Sequence, residues 1–440
     1  MGSPSVSSSE LNNPKVIRAW CMYDWANSVY SLVITSAIFP VYYQAVTTTK
    51  DRGDVVNFFG YPIVNSVLYS YALSLSFLMV APLLPLLSGI ADYTGKKKEF
   101  MKVFVYLGGF ACMGLFFFHG ENIEWGIICS ILASIGYAGS VVFYDAFLPE
   151  IATRDRFDSV SAQGYSMGYY GSVILLVINL AMIMLWSSFG FPDQGTATRF
   201  SFLLVGAWWI GFAQIAFVHL PDNPFAKKPT GKVIFNGYRE LKKVWQSLTG
   251  HPDLKQYLFA YFFYNMGVQT VMYLAATFGA KELKLEDGKL IFTVLIIQLV
   301  ASVGAHMFAR VSGRAGNKVA LMTMISIWIV ICGLAYFTTT EYEFYGVAFL
   351  VGLVMGGIQS LSRATYSKLI PANSIDHASY FSFYDVTFNL SIAFGTLSYG
   401  LIEHATGSMR NSTLALALFF VVGIILLAQI KSPQLERPKH

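Results

Sequence analysis

Twelve stretches of roughly twenty mostly apolar residues dominate this chain, and a helix of that length crosses the ~30 Å hydrocarbon core of a bilayer. They run approximately from Trp20 to Tyr43, Ile63 to Leu87, Phe100 to Phe118, Glu124 to Leu148, Ser161 to Trp186, Phe200 to Leu220, Leu254 to Phe278, Leu290 to Ala309, Val319 to Phe337, Tyr345 to Tyr366, Tyr380 to Ile402 and Ser412 to Ile430. Only 12% of the residues are charged and 55% are hydrophobic, against about 25% charged in ordinary soluble domains. Water is therefore not the main solvent, and the chain reads as an all-α membrane protein of twelve transmembrane helices.

Punctuation between the runs sorts the twelve into two sets of six. The turn Ser88-Gly89-Ile90-Ala91-Asp92-Tyr93-Thr94-Gly95-Lys96-Lys97 has a degraded counterpart, Ser312-Gly313-x-x-Gly316-Asn317-Lys318, with Gly316 lying 221 residues after Gly95. Leu148-Pro149 answers Ile370-Pro371 at an offset of 222. Two unrelated landmarks with nearly one offset imply two homologous halves, and parallel repeats of this kind are a transporter layout. The predicted parts are a tail (1–18), a six-helix bundle (19–220), a linker (221–253), a second, pseudo-symmetric six-helix bundle (254–430) and a tail (431–440). Within the linker, Tyr238, Leu241, Trp245 and Leu248 recur at helical spacing while Arg239, Lys242 and Lys243 take other faces. That pattern predicts a short amphipathic helix at the cytoplasmic surface.

An even number of spans puts both termini on one side. Of the 30 Lys and Arg residues, only Lys50, Arg52, Arg199, Lys281, Lys284, Lys289 and Arg410 fall on the other. Basic residues accumulate in short cytoplasmic loops, so both termini are expected in the cytoplasm. The net charge of +5 then reflects topology and contact with anionic lipid rather than nucleic-acid binding. Met1 to Asn13 is Ser-rich and lacks the basic, apolar and small-residue order of a cleavable signal, so a disordered tail is expected. Cys21, Cys112, Cys129 and Cys332 share no short spacing, which argues against a zinc site or a disulfide framework. No metal, no cofactor and no partner beyond lipid and a small solute are expected, and a monomer suffices.

Function should reside where polar side chains are kept inside apolar spans, because an ionised residue there costs about 2.5–3.5 kcal/mol even on lenient scales. In the first span Asp24, Asn27 or Ser28, Ser31 and Thr35 make one polar stripe. Asp24 either binds solute or a cation, or hydrogen-bonds a neighbouring helix. In the eleventh span Asp385 and Asn389 lie one turn apart, with Thr396 and Glu403 further along. In the tenth, Gly352, Gly356, Gln359 and Arg363 share a face. Arg363 either pairs with Asp385 or Asp145, or holds an anionic group with its planar fork. The seventh span offers Tyr261, Tyr264, Asn265 and Gln269, and the eighth Gln298, Ser302 and His306. Gly164, Gly168 and Gly171 read as a packing seam.

The turn Ala91-Asp92-Tyr93-Thr94-Gly95-Lys96-Lys97 resembles the signature loop between the second and third helices of the major facilitator superfamily, with Ser88 at the first glycine position and Tyr93 at an arginine position. That resemblance implies gating roles for Gly89, Asp92, Gly95, Lys96 and Lys97. The departures at Tyr93 and Gly313 imply a latch that differs between halves. Trp20-Cys21-Met22-Tyr23-Asp24-Trp25-Ala26-Asn27-Ser28, Phe39-Pro40, Tyr144-Asp145-Ala146-Phe147-Leu148-Pro149, Gly164-Tyr165-Ser166-Met167-Gly168-Tyr169, Gln359-Ser360-Leu361-Ser362-Arg363 and Phe383-Tyr384-Asp385 resemble the autophagy-linked vacuolar effluxer family and its bacterial members. The resemblance implies export of small solutes, amino acids in the fungal case, and the compact loops suit a bacterial cell membrane.

Two bundles rocking about a central site require differential solute binding to their two conformations. The expected cavity residues are Asp24, Asn27, Asn265, Gln269, Gln359, Arg363, Asp385 and Asn389, with Asp24, Asp385 and Asp145 as candidate proton carriers. An acid and a base on facing helices would suit a zwitterion. No metal-spaced His/Glu set and no nucleophile with a base is present in the sequence, so an enzyme is not expected. Uptake of peptidoglycan fragments or another nutrient, uncoupled diffusion, and a non-transporting receptor are the alternatives.

Overall fold

Lipid offers no hydrogen bonds, so a long apolar run must satisfy its own backbone and does so as a helix. The computed structural model describes residues 11–50, 53–222, 233–372, 374–406, 408–431 and 435. Most of the two expected tails and the opening of the linker, with Lys227, Lys228 and Lys232, lie outside the described residues, as does Arg52.

The first set of helices comprises α1 (Pro14–Val29), which passes through a π-helical stretch (Tyr30–Ala37) into α2 (Phe39–Thr47), then α3 (Asn65–Thr94), α4 (Lys97–Gly114), α5 (Ile123–Asp145), the short α6 (Leu148–Ile151), α7 (Phe157–Met184) and α8 (Gln194–His219). After α9 (Val233–Gly250) come α10 (Pro252–Glu282), α11 (Asp287–Ala315), α12 (Asn317–Phe337), α13 (Glu341–Leu369), α14 (His377–Thr406) and α15 (Met409–Ala428). Ten helical segments among the described residues are long and apolar enough to cross a membrane. The remaining two expected spans are α10 and α14, of 31 and 30 residues, which bury Asn265, Gln269, Asp385 and Asn389. Within the first set α1 packs on α7 and α8, and α4 on α5; within the second, α11 packs on α13 and α10 on α15. The sets meet where α7 touches α11 and α13, and where α14 touches α3 and α5.

Small residues set these approaches. A Cβ on Gly168 would meet Ser28, and one on Gly171 would lie 2.6 Å from the Trp25 carbonyl, so the glycine face of α7 is the seam against α1. Gly352 and Gly356 of α13 rest in the same way on the Ile297 and Ala301 carbonyls of α11.

Four details differ from expectation. The turn after α3 is shorter than ten residues: Ser88 to Thr94 are helical, and the chain reverses at Gly95 with φ 70°. Gly316 repeats this with φ 90°, a conformation in which a side chain would be strained, and this explains why both copies of the loop hold glycine there. The polar stripe of α1 does not run straight, because the π-helical stretch rotates Ser31 to Ser36 relative to Asp24. Helix α9 turns Gly237, Glu240, Val244 and Leu248 inward and leaves Tyr238 and Trp245 exposed. The inward face is set by Gly237, which lets the helix lie directly on Gly89 and Ile90 of α3. Finally, β1 (Val55–Phe58) and β2 (Tyr61–Val64) form an antiparallel hairpin that is not among the expected elements.

Candidate functional site

Arg363 sits inside the protein with 2% of its surface exposed, and a buried guanidinium must find partners for its five donors. It donates to Asp145 Oδ1 at 2.9 Å, Asp24 Oδ2 at 3.3 Å, Ser161 Oγ at 2.9 Å and the Ser161 carbonyl at 3.1 Å. The Trp20 and Tyr165 rings approach its plane at 4.6 and 4.3 Å. Tyr144 donates to the same Asp24 oxygen at 2.7 Å. Every one of these partners belongs to α1, α5 or α7, whereas Arg363 belongs to α13. The cluster therefore ties the two bundles together.

Further polar ties lie towards one end, the end where α1 begins and α15 finishes. Asp158, in the first turn of α7, accepts from Lys368 at 2.7 Å, Asn317 at 2.8 Å and Ser312 at 2.8 Å. Asp92, near the end of α3, accepts from the backbone N–H groups of Ala378 and Ser379 at 3.2 and 2.7 Å, where the positive end of the α14 dipole favours a carboxylate. Arg154 donates to the Ile370 carbonyl at 2.8 Å. Glu150 holds Lys97 of its own bundle and, at 3.0 Å, His377 of the other. These contacts seal that end.

Beyond the Arg363 layer lies a cavity of about 260 Å³ between the bundles. Its wall on the first span begins at Ser28 and runs through Ser31, Thr35 and Ser36, away from the sealed end. Tyr169 donates to Gln359 Oε1 at 2.6 Å, bridging the bundles across the cavity. Asn389 donates to Asp385 Oδ2 at 2.8 Å. Among the described residues no Lys, Arg or His lines the cavity.

The structure sorts the expected site residues into three places. Gln269, Gln359, Asp385, Asn389 and Asp145 line the cavity. Asp24 and Arg363 form the charge cluster beneath it. Asn27 and Asn265 are buried away from the lining, Asn27 accepting from Ser28 at 3.3 Å and Asn265 donating to Ser391 at 2.5 Å. Of the two acids expected for Arg363, it takes Asp145 and not Asp385, and adds Asp24. Among the loop residues, Asp92 reaches the other bundle, Lys97 does so through Glu150, Gly89 and Gly95 shape the backbone, and Lys96 is exposed. His306 joins the bundle interface, with Nδ1 3.0 Å from Ser166 Oγ. Asp158, Lys368 and His377 were not candidates from sequence. Asp158 alone carried a signal, as an acid in the first turn of a helix.

Membrane-crossing helices in two bundles around a central cavity define a membrane transporter of the major facilitator fold, and solved transporters superpose on the chain accordingly. The human organic anion transporter MFSD10 does so with a TM-score of 0.71 at 13% identity, covering 94% of this chain and 99% of that one. The E. coli fucose:proton symporter FucP (N162A) gives 0.67 at 12% identity, covering 95% and 98%. At such identities the likeness is one of fold. The chain belongs to the vacuole effluxer Atg22-like family, whose pattern matches residues 12–157 and 152–437. The MFS-type transporter YxiO of Bacillus subtilis (strain 168) is 32% identical over 413 residues, 93% of each chain. Autophagy-related protein 22-1 of Phaeosphaeria nodorum is 25% identical over 515 residues, covering 93% of this chain and 89% of the relative.

Proposed function

We propose that this transporter exports a small polar solute of amino-acid size by alternating access, driven by proton movement through the buried acids. The observation that carries the reading is the central cavity, walled by Asp145, Gln269, Gln359, Asp385 and Asn389 and closed at one end by the Arg363 cluster. The bias of Lys and Arg towards the sealed end supports placing both termini in the cytoplasm of a bacterial cell, so the cavity faces outward in this conformation. Breaking the cluster and rocking the bundles exposes the same residues to the inside. Two carboxyl groups, Asp24 and Asp145, share the one guanidinium of Arg363 and Asp385 adds a third acid on the cavity wall, so the region carries more acid than base and has capacity for a proton.

The test is flux in proteoliposomes. A panel of small solutes is screened by thermal shift, hits are followed across vesicles under an imposed pH gradient, and Asp24→Asn and Asp385→Asn are compared with the parent. Loss of gradient-driven flux with counterflow retained is the expected result. Full gradient-driven flux in both variants would overturn coupling through these acids.

A further inference from the structure

The charges around the cavity do not balance, and the imbalance is local. Asp24 and Asp145 share Arg363, while Asp385, 8% exposed, has only the Asn389 amide and no ion pair among the described residues. An ionised carboxylate so enclosed is costly unless a counter-charge arrives. Its surroundings specify what kind. Tyr165, Tyr169, Tyr261 and Tyr384 line the same cavity, and the Tyr261 and Tyr384 rings stack with centroids 4.4 Å apart. Tyrosine rings and an unpaired carboxylate on the wall of one cavity are groups that can hold an ammonium. Gln298, also on the wall, keeps a buried side-chain oxygen that meets no donor among the described residues, an acceptor suited to an N–H. A carboxylate or phosphate on the solute would find no basic residue among the described residues of the wall, because Arg363 is spent below it.

We propose that the cavity is an organic-cation site, in which Asp385 takes the ammonium group of a small amine and the tyrosine rings of the wall receive its apolar body. The inference rests on the transporter reading and narrows its solute to a class that needs no anionic group.

Three probes with one skeleton and different charge separate the possibilities: tyramine (cation), tyrosine (zwitterion) and tyrosol (neutral). Binding to the purified protein is measured by isothermal titration calorimetry, and entry into proteoliposomes by exchange of labelled probe. Tyramine is expected to bind at least about tenfold more tightly than the other two, since a hydrogen bond to a charged group is worth at least that factor. Asp385→Asn should lose the preference and Asp385→Glu should keep it. Tyr261→Leu should weaken tyramine without making tyrosine the better ligand, a readout that stands even if an Asp385 variant fails to fold. Tyrosine or tyrosol binding as tightly as tyramine, no binding of tyramine, or an unchanged preference in folded Asp385→Asn overturns the cation site. If tyrosine exchanges across vesicles and tyramine does not, the transport reading stands and the cation site falls. If tyramine binds through Asp385 and no solute crosses, the cation site stands and the transport reading falls.

Discussion

Removing the Arg363 charge should open the sealed end. All four hydrogen bonds of the guanidinium cross from α13 to α1, α5 or α7, so they stabilise this conformation and are lost when the bundles part. Arg363→Gln deletes two charge pairs and leaves Asp24 and Asp145 buried beside each other. Removing one partner of a buried ion cluster costs about 3–5 kcal/mol, which shifts a two-state equilibrium roughly a hundred- to several-thousand-fold. The protein allows a direct measurement, because its four native cysteines are all buried and should not take a label. Spin labels at Asp155→Cys on the first bundle and Ile375→Cys on the second, both exposed, report the separation at the sealed end by pulsed dipolar spectroscopy. Arg363→Gln is expected to replace a short, narrow distance distribution with a longer one. Arg363→Lys should fall between, since it restores charge without the planar fork that reaches Ser161 and both acids. An unchanged distribution in folded Arg363→Gln, with the parent's elution and thermal midpoint, would refute the claim that this cluster holds the bundles shut.

Asp92→Asn should lengthen the same distance distribution, because the neutral amide no longer complements the N–H groups of Ala378 and Ser379; the expected loss is about 1–3 kcal/mol of bias towards the sealed state. Gly356→Val should lower the thermal midpoint in detergent, since the Ala301 carbonyl occupies the space a side chain would need, and overpacking of this kind costs about 1–3 kcal/mol or more. Gly164→Ala places a methyl group 2.5 Å from Asp24 Oδ2 and 3.1 Å from Arg363 Nη2; it should widen the label distances while leaving solute affinity at Asp385 intact, read by calorimetry with tyramine. Gly237→Leu should lift α9 from Gly89 and speed limited proteolysis of the linker without changing the midpoint of the bundles.

The spans and the two halves were legible because lipid imposes length and apolarity on each crossing segment independently of its neighbours. Gly95 and Gly316 were legible because a backbone conformation restricts residue type at a single position. Partner choice was not. Asp24 and Arg363 are 339 residues apart, and nothing in the local spacing of either distinguishes a cavity residue from one layer deeper. The π-helical stretch escaped for a related reason: its residues Tyr30 to Ala37 read equally well with an α-helical period, and only packing reveals the extra residue per turn. Of the cavity tyrosines Tyr261 was legible as part of a polar face, while Tyr165, Tyr169 and Tyr384 were not singled out, because an aromatic residue in an apolar run looks like core until a hollow is found beside it. For α9 the apolar residues pointed to one face, but close approach at Gly237 decided another.

The loop resemblance led to the expectation of a latch that differs between halves, and the contacts show how the difference is built. In the first half the acid lies on the loop side: Asp92, at the end of α3, accepts from the opening N–H groups of α14. In the second half the corresponding position is Gly313, which cannot supply an acid. There the carboxylate has moved to the opposite partner, Asp158 in the first turn of α7, and the second loop contributes donors instead, through Ser312 and Asn317. Each loop still meets the start of the helix that crosses from the other bundle, and each junction still contains one carboxylate near a helix N-terminus. The two junctions differ in kind, since Asp158 takes Lys368 in an ion pair across the interface while Asp92 meets the other bundle through the backbone amides of Ala378 and Ser379. A loop that looks degraded by sequence therefore retains its contact, with donor and acceptor exchanged across the interface, and the sealed end is held by both halves.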